Sequence, residues 1–213
     1  GNPDFGEATC VLDPGEKLIC EGRAMSRMSG AMDLRVKTPG GLLRSVTRSA
    51  FGRESFFMSE YSSPSGGFVT VVPGTPGSVV HRELRGETLI LTAGSFLASS
   101  EGVDLTAKFG GLKSLFSGEG AFLLFAKGHG DLLFNAYGGI VERDLDGTLT
   151  VDSGHLVAWE PSIDYQVKAV GGLKQTLFSG EGLVMELQGR GKVWLQTRTL
   201  SETAGWITPY LMS

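Results

Sequence analysis

The chain has 213 residues and carries 19 lysines and arginines against 23 aspartates and glutamates, for a net charge of −4. With 41% hydrophobic and 20% charged residues it has the make-up of a folded globular protein, which excludes a disordered one. The longest apolar run, Ala121–Ala126, is far short of the ~20 residues of a membrane-spanning helix. Two cysteines are too few for a disulfide scaffold, and 32 glycines, about twice the usual ~7%, count against a helical bundle.

No collagen-like triplet accompanies the glycines, so they read as turns between many short strands. No basic-then-apolar signal segment opens the chain, and Gly1 suggests trimming or a tag. A cytoplasmic location is expected, with peripheral contact at a membrane as its extension.

In chain order, the first signal is Asp13-Pro14-Gly15-Glu16, a turn between two apolar strand ends flanked by Cys10 and Cys20. A hairpin closing about Gly15 would set the cysteines opposite each other and make a cross-strand disulfide geometrically feasible. Two semi-buried reduced thiols are the expected outcome. Leu42–Ala50 reads as a short helix, with Leu42, Leu43, Val46 and Ala50 on one side and Arg44 and Arg48, four apart, on the other. Val69–Val72, Phe122–Phe125 and Leu132–Phe134 are unbroken apolar runs of strand length. From Leu183, alternation of Leu183, Met185 and Leu187 with Val184, Glu186 and Gln188 has the two-residue period of a half-buried strand.

The sequence repeats itself. Gly110-Gly111-Leu112-Lys113 with Ser117-Gly118-Glu119-Gly120 returns, at an offset of 61 between Gly110 and Gly171, as Gly171-Gly172-Leu173-Lys174 with Ser179-Gly180-Glu181-Gly182. Asp131-Leu132-Leu133-Phe134-Asn135 likewise meets Lys192-Val193-Trp194-Leu195-Gln196, and Gly86-Glu87-Thr88-Leu89 meets Gly147-Thr148-Leu149. A fainter first copy sets Leu12-Asp13-Pro14-Gly15-Glu16 in the place of Leu84-Arg85-Gly86-Glu87, and Glu54 in that of Glu119. The expectation is an all-β chain of three repeated sandwich-like units, 1–83, 84–144 and 145–213, packed as one globular body.

Several strings resemble chemistry. Asp144-Leu145-Asp146-Gly147-Thr148-Leu149 spells the nucleophile motif of haloacid-dehalogenase-type phosphatases, in which one aspartate attacks phosphorus and a metal bridges the pair. The apolar strand that should precede it is missing, and no paired aspartates follow, so a turn between strands without metal is expected. Glu54, Glu119 and Glu181 stand at one repeated position. They either lock a turn by accepting backbone N–H groups or gather around an axis to bind a cation or a partner's basic group. His81, His129 and His155 share no repeated position and no metal-ligand spacing, and no serine elbow, zinc helix or phosphate loop is present. Neither an enzyme nor a cofactor is expected.

Charge is unevenly spread. Lys17 to Arg53 holds eight basic and two acidic residues, an excess of +6, which leaves the remainder at −10 against the total of −4. Such a segment offers a face to anionic partners, with Arg44 and Arg48 foremost, or else keeps solvated strand edges apart. Phe51 is its only aromatic, so nucleic acid is not an expected partner.

The glycine-rich repeats, with Leu12-Asp13-Pro14-Gly15-Glu16, Glu21-Gly22-Arg23-Ala24-Met25, Val151-Asp152-Ser153-Gly154-His155-Leu156 and Leu195-Gln196-Thr197-Arg198, resemble the family of altered inheritance of mitochondria protein twenty-four and its bacterial relatives, formerly a domain of unknown function. The resemblance spans nearly the whole chain. It implies an all-β fold similar to the tryptophan RNA-binding attenuation protein, with repeats around a pseudo-three-fold axis. For fungal members it implies a role in organising the mitochondrial inner membrane. It brings no agreed catalytic residues. The expected function is a non-catalytic structural or interaction module, partnered by a protein, an anionic membrane surface or a second copy of the chain. The alternative is a small-ligand binder using clefts between units.

Overall fold

The computed structural model describes residues 5–37, 58–109, 122–169 and 183–211. Fourteen strands and one α-helix carry these residues, so the chain is mostly β. The first six strands are β1 (Ala8–Leu12), β2 (Lys17–Glu21), β3 (Met25–Met28), β4 (Asp33–Lys37), β5 (Met58–Ser62) and β6 (Gly67–Val71). β1 and β3 flank β6 in a three-stranded antiparallel sheet, while β2 and β4 flank β5 in the larger sheet.

Asp13–Glu16 therefore does not close a hairpin. It carries the chain from one sheet to the other, with Gly15 at φ +83° and its N–H donated to the Ser63 carbonyl at 2.8 Å. β1 and β2 face different partners, Cys10 does not oppose Cys20, and both thiols are free. The helix expected at 42–50 lies outside the described residues.

The next eight strands are β7 (Val79–Thr92), β8 (Phe96–Ser100), β9 (Val103–Phe109), β10 (Phe122–Asn135), β11 (Ile140–Asp152), β12 (Leu156–Trp159), β13 (Ile163–Ala169) and β14 (Leu183–Gln196). β7 pairs with β10 and β11 with β14 along almost their full lengths. The apolar runs at Phe122–Phe125 and Leu132–Phe134 thus belong to one strand, and residues 84 and 145 fall inside β7 and β11.

Asp144–Leu149 is likewise strand and not turn, which corrects the expectation. Gly147, at φ +119°, lies directly opposite Gly189, at φ +149°. Two glycines facing each other let the ladder bend sharply without breaking, where the sequence alone reads a stop. Glu87, which has no counterpart after Gly147, is absorbed as a bulge. The β7–β10 register shifts between Lys127 and His129, whereas β11–β14 runs without a shift.

Three rows across the ladders share one pattern. Val69 lies between Cys10 and Met28, Leu132 between Arg82 and Ser99, and Val193 between Arg143 and Trp159, and the three central residues are fully buried. One residue on, Leu133 lies between His81 and Ala98, and Trp194 between Glu142 and Ala158. Two short strands stitch the ladders together. β8 pairs with β2 at Ser99–Ile19, and β12 pairs with β7 at Trp159–Ile90. The apolar core follows the ladders, with one cluster around Leu12, Leu18, Cys20 and Val69, one around Leu84, Phe96, Leu132 and Phe134, and one around Trp159, Met185, Leu187 and Val193.

The helix α1 (Leu200–Leu211) was not expected. Thr199 caps it, accepting the Glu202 N–H on its side-chain oxygen at 3.1 Å, and no helix residue is buried. Trp206, Tyr210 and Leu211 stand in solvent.

Candidate functional site

Where β1 meets the wall built by β7, β8 and β10, a cleft of about 370 Å³ opens. All five residues of β1 line it. Successive side chains of a strand point to opposite faces, so a cleft touching every residue runs along the backbone edge of the strand. Among the described residues β1 is the terminal strand of its sheet, with β6 on its other side, so that edge has no partner strand in the sheet order. Leu12, Leu18 and Leu133 give the cleft an apolar floor, and Glu16, His81, Ser100 and Asp131 supply its polar groups.

Each polar group is held by its strand. Glu16 accepts the Asp13 N–H on Oε2 at 2.8 Å, which fixes the corner turn. His81 Nε2 meets Asp131 Oδ1 at 2.6 Å across β7 and β10. Ser100 Oγ accepts the Asp131 N–H at 2.8 Å. Ser99 differs. It is 1% exposed, and its hydroxyl has no hydrogen-bond partner. Ser99 is paired with Leu132 on one side and Ile19 on the other, and both pack in the cluster around Leu84, Phe96 and Phe134, so its hydroxyl faces that core and not the cleft.

Cys10, His81 and Asp131 share this cleft, an arrangement resembling a nucleophilic triad. The chemistry runs the other way. Burial pushes the Cys10 thiol up to about 11, and the nearby Asp131 and Glu16 carboxylates push in the same direction. The sulfur is therefore a neutral thiol at physiological pH, where a nucleophile needs thiolate.

Of the residues singled out from sequence, Arg44, Arg48, Glu54, Glu119 and Glu181 all lie outside the described residues. Asp144 lies 3.4 Å from Lys192 Nζ and Asp146 3.9 Å from Arg190 Nε, so the phosphatase-like aspartates pair with cations across β14. His155 Nδ1 bonds the Gln196 carbonyl at 2.7 Å, which serves the fold. Among the described residues no group of three His, Cys, Asp or Glu could hold a metal ion. None of the described helices is long and apolar enough to cross a membrane. The cleft residues Cys10, Glu16, Ser99 and Asp131 were not read as a site from sequence. Their signal lay in the aligned repeats, where Asp131 and Leu133 stand against Lys192 and Trp194.

A curated relative, an uncharacterised protein of Streptococcus pyogenes serotype M6, is 34% identical over 175 residues, covering 81% of this chain and 71% of the relative. A crystal structure of a Streptococcus pyogenes protein from a structural genomics consortium superimposes with a TM-score of 0.84 at 29% identity, over 99% of this chain and 96% of that one. The model of the mitochondrial biogenesis AIM24 family matches residues 1–198, the whole β body up to the cap of α1. With an all-β body matched from end to end, the chain belongs to the mitochondrial biogenesis AIM24 family.

Proposed function

We propose that this chain is a non-catalytic binding module, built from three copies of one β motif, whose ligand site is the cleft between β1 and the β7–β8–β10 wall. The observation that carries this reading is a cleft of about 370 Å³ that runs along the outer edge of β1 and joins an apolar floor to the carboxylates of Glu16 and Asp131. The shared register of the three ladders supports the three-copy arrangement, in which the cleft falls between the first and second copies. The neutral Cys10 thiol supports a binding role without catalysis.

The test is a titration with small-molecule probes followed in the amide NMR spectrum. Shifts concentrated at Ala8–Leu12, Ser100 and Asp131, and lost in a folded Leu133→Trp variant that fills the cleft, are expected. Shifts elsewhere, or unchanged binding by Leu133→Trp, would refute the reading.

A second reading, attachment to a protein assembly or to a membrane surface, draws on α1, which presents Trp206, Ile207, Tyr210 and Leu211 to solvent. The basic segment around Arg44 and Arg48 would add salt-sensitive attraction to anionic lipid. Co-sedimentation with anionic vesicles across a salt series, comparing the full chain with Arg44→Glu/Arg48→Glu and Trp206→Ser variants, tests it. Equal pelleting of all three would dismiss it.

A further inference from the structure

Cys10 holds in the cleft the place that Arg82 holds one ladder further on. Cys10 lies across from Val69 and Arg82 across from Leu132, the central residues of matching rows. At the second junction, where β7 meets the wall of β11, β12 and β14, the Arg82 guanidinium carbon lies 5.1 Å from the Trp194 ring centre. Its nitrogen lies 3.1 Å from Glu160 Oε1 and 3.8 Å from Glu87 Oε1. A cation on an aromatic face with two carboxylates at its edge is a complete guanidinium seat.

Each part of that seat has a counterpart in the cleft. Leu133 matches Trp194 in the rows. Ser100 matches Glu160: Ser100 accepts the Asp131 N–H, as Glu160 Oε2 accepts the Lys192 N–H at 3.0 Å. Glu16 matches Glu87. Each follows a left-handed glycine, Gly15 or Gly86, and each accepts a backbone N–H of its own turn, from Asp13 or Arg85.

The differences are in volume and charge. Cys10 for Arg82 and Leu133 for Trp194 both remove bulk, which is why the first junction is open where the second is filled. Asp131 stands where the second junction has Lys192, so a cation is exchanged for a carboxylate. Among the described residues, Glu16 and Asp131 line the cleft, with His81 Nε2 at 2.6 Å from Asp131 Oδ1, and neither lysine nor arginine does.

We infer that the cleft binds a guanidinium group carried on an apolar stem, seated where Arg82 seats its own guanidinium in the second junction. This rests on the cleft being a ligand site and names the class of ligand. A guanidinium fits better than an ammonium, because the flat, weakly hydrated ion gives up less on entering a cleft with a leucine floor. Asp131 and Glu16 neutralise it, Leu133 meets the stem, and the outer edge of β1 supplies backbone groups along its length. The guanidinium comes either from a free alkylguanidine or from an arginine side chain of a partner peptide.

Isothermal titration with four probes on one stem decides the class: butylguanidinium, butylammonium, butanol and butyrate. An acetyl-Ala-Arg-Ala-amide peptide is run beside them. Butylguanidinium is expected to bind about tenfold tighter than butylammonium, and Asp131→Asn, a change at an exposed side chain, to weaken it about tenfold with the fold intact by circular dichroism. Tighter binding of the peptide identifies a protein arginine as the source, and tighter binding of butylguanidinium a free small molecule. Butanol, butyrate or butylammonium binding as tightly as butylguanidinium, or Asp131→Asn binding as wild type, overturns the guanidinium class while leaving the cleft a ligand site. No binding of any probe overturns both.

Discussion

Arg82 lies over the ring of Trp194, with 5.1 Å between guanidinium carbon and ring centre, and the indole N–H of Trp194 is donated to Glu142 at 3.0 Å. Trp194 also meets Phe134 edge-on at 5.9 Å, so one ring joins the second ladder to the third. Because Trp194 is nearly fully buried, Trp194→Leu is expected to cost about 2–4 kcal/mol and to open at this junction a hole like the cleft. Arg82→Ala added to it should cost less than it does alone, since the two residues share one contact. Urea unfolding of the two single variants and the double variant measures both; strict additivity would mean that the stacking contributes nothing.

Gly147 and Gly189 face each other with left-handed φ, yet their surroundings differ. A Cβ on Gly189 would lie 2.5 Å from the Ser162 carbonyl oxygen, whereas one on Gly147 would meet nothing within 4 Å. Gly147→Ala therefore pays for backbone strain alone, about 1–2 kcal/mol, and Gly189→Ala adds a backbone clash that takes it past roughly 3 kcal/mol. Thermal unfolding of the two variants should separate them clearly, and equal losses would contradict the close approach of β13 to β14.

The all-β class, the 61-residue repetition and the unpaired thiols were legible in the sequence, because each rests on local composition or on matching strings. The long strands were not. A glycine with positive φ inside a strand carries the same sequence signal as a turn, so Gly86, Gly128, Gly147 and Gly189 read as ends where the chain runs on. The helix α1 was hidden by Gly205 and Pro209, although Thr199-Leu200-Ser201-Glu202 is a capping-box string. The cleft was hidden for another reason. Cys10, His81, Ser99 and Asp131 meet only through pairings between distant strands.

The thiols make a pH-dependent prediction. Burial raises Cys10 to about 11 and raises Cys20 further, so both favour the neutral form in the folded state. An unfolded thiol ionises near ~8.5, so this contribution is complete below that pH and is lost as pH rises toward the folded value. Stability should fall between about pH 8.5 and 11, less steeply in a Cys10→Ala/Cys20→Ala variant. Alkylation by iodoacetamide at neutral pH should be slow until the chain is unfolded. Rapid modification of Cys10 in the native protein would contradict the protonated thiol.

Helix α1 rests on its cap and on few contacts, among them the Tyr137 hydroxyl to Thr203 Oγ1 at 2.9 Å. Thr199→Ala should cost the helix about 1 kcal/mol and raise chymotryptic cleavage at Trp206 and Tyr210. Removal of residues 200–213 should leave the unfolding midpoint of the β body nearly unchanged, and a large drop would mean that α1 supports the core.

The equivalence of the two junctions is tested most directly by the thermal unfolding of Cys10→Arg. An arginine at this position would seat its guanidinium between Glu16 and Asp131, as Arg82 does beside Glu87 and Glu160. The expected result is a melting temperature equal to or above that of wild type, together with loss of butylguanidinium binding. A melting temperature several degrees lower, with butylguanidinium still bound, would show that the cleft is not the seat an arginine has vacated.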